Sequence, residues 1–117
     1  MDQIELKQRT KTFALRIMKL VEALPKKPAG WAIGKQLIRS GTSVGANYRA
    51  ACRSRSRAEF IAKIGVVEEE ADESAFWLEL LIDGKIIDAK LIEPLLQEAN
   101  ELVRIMAASR KSAMKNK

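Results

Sequence analysis

Lys35, Arg39, Thr42, Ala46, Arg49 and Arg53 recur at spacings of four, three, four, three and four residues. An α-helix turns about 100° per residue, so this series forms one nearly straight stripe. Four cations without an acid between them suit the phosphate backbone of a nucleic acid. Lys35 and Arg53 are 18 residues apart, about 27 Å of helix axis, comparable to several phosphates along a duplex. Arg55 extends the cationic run just beyond. No aromatic side chain interleaves these cations and no base-reading element adjoins them, so the binding expected is salt-sensitive and weakly sequence-selective. The opposing reading pairs Arg39 and Arg49 with Glu70 and Glu73 further along the chain, and different arginines can serve each role.

Other chemistry finds less support. Glu68, Glu69, Glu70, Asp72 and Glu73 form an acidic cluster, but carboxylate-bridged di-metal bundles also need Glu-x-x-His pairs and the chain has no histidine. No metal or cofactor is expected. Cys52 lies beside Arg53 without a base to activate it, and reads as an inert, half-buried thiol. Ser40, Thr42 and Ser43 lack a His/Asp partner for the same reason. Gly41-Thr42-Ser43-Val44-Gly45 has neither the lysine-serine ending nor the preceding strand of a phosphate loop. An enzyme is not expected. Among the aromatic residues, Tyr48 and Trp77 read as core or interface residues, whereas Trp31 is uncommitted.

The stripe needs a helix that packs by its opposite side. Leu37, Gly41, Val44, Tyr48 and Ala51 supply that side. This helix is expected over about Trp31 to Arg53. Gly34, Gly41 and Gly45 within it favour close approach of a neighbour over a kink at Ser40–Ser43. A first helix is expected from about Ile4 to Leu24, with Leu6, Phe13, Ile17, Leu20, Val21 and Leu24 inward. Its solvent residues are Lys7, Arg9, Arg16 and Lys19, and Pro25 ends it. The third helix follows Ser56 as N-cap and closes at Asp83-Gly84. Its Phe60, Ile64, Val67, Ala71, Ser74, Leu78 and Leu81 alternate four and three apart over three heptads. The fourth is secure from Pro94, with Leu95, Leu96, Ala99, Leu102, Val103 and Met106 inward; Asp88 caps at most a short turn before it. Short loops force neighbours antiparallel, so the fold class is all-α: an up-down-up-down four-helix bundle over 1–109, with 110–117 a fraying basic C-terminal tail.

Length and composition agree with one domain of 117 residues, 47% hydrophobic and 31% charged. No apolar run approaches the ~18 residues of a membrane span. The single cysteine and a start without a basic-then-apolar leader point to the cytoplasm. The net charge of +6 is segregated: residues 1–67 carry 14 Lys and Arg against four Asp and Glu, and residues 68–101 carry two against 11. Such segregation implies that basic and acidic elements meet within one subunit or between copies, with the surplus directed at an anionic partner or simply at solubility.

Two stretches carry a resemblance. Gln36-Leu37-Ile38-Arg39-Ser40-Gly41-Thr42-Ser43-Val44-Gly45-Ala46-Asn47-Tyr48-Arg49, followed by Phe60-Ile61-Ala62-Lys63, resembles the bacterial four helix bundle protein family. Glu70 through Leu81 matches its third-helix signature. That family is related to proteins encoded in intervening sequences of large-subunit ribosomal RNA genes and to accessory proteins of diversity-generating retroelements. The resemblance covers about residues 5 to 110. It implies an antiparallel bundle that assembles into a homopentameric ring with a positively charged surface. For the retroelement relatives it further implies nucleic-acid binding and a reverse transcriptase partner. The matching positions are Arg39, Asn47 and Arg49 with Glu70, Glu73 and Trp77. Asn47 is expected to bond a neighbouring helix. Where the family pattern has a glutamate after Asn-Tyr-Arg, Ala50 and Ala51 stand here, so no carboxylate is available at that point for an intersubunit ion pair.

The expectation is therefore a non-enzymatic oligomeric bundle that binds RNA or DNA backbones through Lys35, Arg39, Arg49, Arg53 and Arg55. Asn47, Tyr48, Glu70, Glu73 and Trp77 are expected in structural or interface roles. The alternative is a scaffold whose acidic third helix meets the basic second helix of another copy, in a ring that engages another protein.

Overall fold

The computed structural model describes residues 1–115, and four helices account for nearly all of them: α1 Gln3–Glu22, α2 Pro28–Ala51, α3 Arg57–Asp83 and α4 Ala89–Lys115. No strand occurs among the described residues. Each start has a local cause. Asp2 accepts from the Glu5 amide at 2.8 Å, and Ser56 accepts from the Glu59 amide at 3.1 Å, each satisfying an amide that the first turn leaves without a carbonyl. Pro28 opens α2, where its missing N–H costs nothing.

The fourth helix is longer than the sequence suggests at both ends. It begins five residues before Pro94, because the Asp88 carboxylate accepts from the Lys90 amide at 3.0 Å and Ile92 is fully buried. Pro94 stands inside the helix on its exposed side, where water has access to the carbonyl that its missing N–H leaves free. Instead of fraying at 110, the helix continues to Lys115. Arg110 is anchored there by Glu68 of α3 at 2.9 Å. Asn116 and Lys117, the end of the expected tail, lie outside the described residues.

α3 packs against both α2 and α4, and α1 packs against α2; the return contact between α4 and α1 is the thinnest of the four. The result is an elongated bundle of 49 × 20 × 18 Å. The heptad positions of α3 from Ile64 to Leu81 are all buried, with Phe60 half-buried at the end. Leu37, Gly41, Val44, Tyr48 and Ala51 are buried as expected on α2.

α2 runs unbroken through Ser40–Ser43, so close approach rather than a kink explains its glycines. At Gly41 a Cβ would stand 2.8 Å from Ile17 Cγ1 and 2.9 Å from Cγ2. Only glycine lets α1 come this near.

Candidate nucleic-acid interface

Because α2 commits one flank to packing, its other flank faces outward, and Lys35, Arg39, Arg49 and Arg53 are all exposed there. Arg53 lies just past the helix, whose C-cap is Cys52, and Arg55 is exposed in the following loop. The stripe is not uniform. Arg39 leans toward α3, where its guanidinium lies 2.9 Å from Glu70 and also bonds Glu73. Glu73 in turn accepts from the Trp77 indole N–H at 3.0 Å. This three-residue chain holds the Arg39 guanidinium above its usual pKa, Glu73 contributing most. It holds the Glu73 carboxyl below the usual range, the indole contributing first and Arg39 next. Arg39 is therefore an internal partner of α3, the pairing that the opposing reading of the sequence expects for it. The expected pairing of Arg49 does not form: among the described residues no carboxylate lies within salt-bridge distance of Lys35, Arg49, Arg53 or Arg55.

The structural residues separate as follows. Tyr48 is buried, and burial raises the pKa of its hydroxyl, with the Cys52 thiol as its neighbour. Trp77 is half-buried, its ring 5.2 Å from that of Phe76 in an edge-to-face arrangement. Asn47 does not bridge helices; its amide donates to the Ser43 carbonyl of its own helix at 2.9 Å. Besides the Arg39 ion pairs, a buried polar link between α2 and α3 is made by two residues without a distinguishing sequence signal. Ser74 Oγ lies 2.9 Å from Ser40 Oγ and 2.9 Å from the Glu70 carbonyl, so one hydroxyl donates to the other and the second to the carbonyl.

Two further ion pairs were not legible from spacing. Arg9, expected in solvent, makes a two-pronged bond to Glu98 with both contacts at 2.7 Å, and reaches Glu101 at 3.2 Å. These carboxylates hold its guanidinium above the usual pKa, Glu98 contributing most. The partners are 89 residues apart, beyond any helical periodicity. Arg110 anchors on Glu68 by a single contact, its Nε–H donating to the carboxylate at 2.9 Å. Because Arg110 also stands beside Gly65, the last turns of α4 lie against the first turns of α3. That placement brings Lys111 and Lys115 to the end of the bundle that carries Arg53, Arg55 and Arg57.

Among the described residues no group of three or more His, Cys, Asp or Glu is arranged to hold a metal ion. No helix among them is long and apolar enough to cross a membrane. What the surface offers is charge: unpaired guanidinium and ammonium groups on α2 and its following loop, against acids gathered on α3.

A family described as 23S rRNA-intervening sequence protein matches residues 2–108. The chain is similar to a protein of unknown function of the S23 ribosomal protein family from Bacteroides thetaiotaomicron, known from its crystal structure. The two share 35% identity with a TM-score of 0.87, covering 95% of this chain and 99% of the other. No curated protein matches the chain.

Proposed function

The chain belongs to the 23S rRNA-intervening sequence protein family, and from that premise we propose that it is a non-enzymatic, self-associating bundle that holds RNA or DNA by the phosphate backbone. Lys35, Arg49, Arg53 and Arg55 make the contacts, and Arg39 only braces α2 against α3. One observation carries this reading: these four cations are exposed and have no carboxylate partner among the described residues. A cation already paired must break that pair to meet a phosphate, whereas an unpaired one only displaces water and counterions. The contact is to backbone, so affinity is expected to vary little with base sequence.

A salt titration tests it. With Lys35, Arg53 and Arg55 all changed to glutamine, affinity for a duplex falls and the log–log slope against salt flattens by about 0.9 for each phosphate contact removed. An unchanged slope, or no binding by the wild-type chain at low salt, refutes it.

A second reading is a scaffold that engages another protein through a ring of copies. It is favoured by the acids on the outward side of α3, where Glu69, Asp72 and Glu79 are exposed.

A further inference from the structure

We infer that the nucleic acid held by this chain is single-stranded: its backbone follows the α2 cations to the end of the bundle, turns over Arg53, Arg55 and Arg57, and continues along a second basic stripe on α4. The path extends the phosphate-binding reading above and rests on it.

The second stripe is Arg104, Ala108, Lys111 and Lys115, spaced four, three and four apart. All four are exposed, on the side of α4 opposite the buried Leu102 and Met106. No acid follows Glu101 in the chain, and Glu101 itself is turned to Arg9 at 3.2 Å. Arg110, in the same turns, is occupied by Glu68. Among the described residues no carboxylate lies within salt-bridge distance of Arg104, Lys111 or Lys115. They share the property that singles out Lys35, Arg49, Arg53 and Arg55: a phosphate reaches them without breaking an ion pair. Arg104 and Lys115 are 11 positions apart, about 17 Å of helix axis.

The placement of the two stripes decides the ligand. α2 and α4 each touch α1 and α3 but make no contact with one another, so the stripes occupy opposite corners of the bundle and face away from each other. They converge at one end. Arg110 is level with Gly65 and Glu68 of α3, and Lys115 stands five residues beyond it, about 7.5 Å nearer the end that carries Arg57. Arg53, Arg55 and Arg57 are exposed there, between the two stripes. Asp2, Glu5 and Glu59 are the acids near this end, and Asp2 is engaged by the Glu5 amide.

The bundle is only 20 × 18 Å across. A duplex has a persistence length of about 50 nm, so one lying along the α2 stripe runs straight past the end and misses α4. A single strand has no such stiffness and can turn there. One duplex therefore meets one stripe at a time, whereas one strand meets both and gains from the second attachment.

The test uses the full chain, a fluorescein-labelled thymidine oligonucleotide and a blunt duplex with as many nucleotides per strand. In one variant Arg104, Lys111 and Lys115 are all changed to glutamine. In a second they keep their charge, as Arg104→Lys, Lys111→Arg and Lys115→Arg. The glutamine variant is expected to bind the single strand at least about tenfold more weakly, because the second attachment is lost. Its log–log salt slope should flatten by about 0.7 for each phosphate contact removed. Its affinity for the duplex is expected to stay within about twofold of wild type, since the α2 stripe is intact. The charge-keeping variant is expected to bind the strand as wild type does, and unchanged urea midpoints in both variants separate lost contacts from misfolding. Unchanged affinity of the glutamine variant for the strand overturns the proposal. So does an equal loss for strand and duplex, a loss shared by the charge-keeping variant, or a wild type that binds only the duplex. The Lys35, Arg53 and Arg55 triple variant tells the two readings apart. If it binds the strand as wild type does, the phosphate-binding reading itself fails; if it binds weakly while the α4 variant does not, only the path onto α4 fails.

Discussion

The Arg39 guanidinium on α2 lies 2.9 Å from the Glu70 carboxylate on α3, and the pair divides the basic stripe into a cation used internally and cations that face outward unpaired. The division has a measurable consequence. Arg39→Gln is expected to lower the urea midpoint slightly, because the pair is half-exposed and screened by water. It should leave affinity for a duplex close to that of wild type. Arg53→Gln is expected to do the reverse, weakening the duplex complex at low salt without moving the urea midpoint.

Acid should act on the same network through Glu73. Its folded-state pKa lies below the ordinary 4.5, so the carboxylate favours the folded state above pH 4.5. That contribution is lost as pH falls through the folded value. Urea midpoints taken from neutral pH downward should therefore drop more steeply below pH 4.5 for wild type than for Glu73→Gln. Parallel curves would show that Glu73 is not the group responsible.

The α1–α4 seam offers a third prediction. Here the helix–helix contact is the thinnest of the four, and the Arg9–Glu98 bond spans it. Both side chains are mostly buried, at 23% and 15% exposed, and a two-pronged charged bond in that setting contributes about 2 kcal/mol. Arg9→Met is expected to cost about that much. Amide exchange should rise in α1 well before α3, which is packed on both sides.

Gly41→Ala tests the close approach of α1 and α2. The added methyl would meet Ile17 at 2.8 Å, and overpacking of this kind costs about 1–3 kcal/mol. Combined with Ile17→Ala, which removes the opposing Cγ atoms, the double variant should be less destabilised than the sum of the singles. Simple additivity in denaturant melts would count against direct contact.

The bundle was readable from the chain because its signals are local. The heptad from Ile64 to Leu81 repeats at the helical period, and all of it is buried. Ser56 starts α3 for a reason contained within one turn, whereas α2 opens at Pro28, three residues before the expected Trp31, because proline suits a first helical turn. The α4 start was misplaced because Pro94 suggests a boundary that the Asp88 cap and the buried Ile92 override. Its end was misplaced because Arg110 is held by Glu68, which the chain supplies 42 residues earlier.

Pattern along the chain settled which residues face inward, since burial follows helical period and that period is a property of neighbouring positions. Which outward charges are already paired depended on how four helices lie side by side. Arg39 meets Glu70, Arg9 meets Glu98, and Arg49 meets no carboxylate among the described residues, because pairing depends on distance through space, which helical period along one segment does not encode.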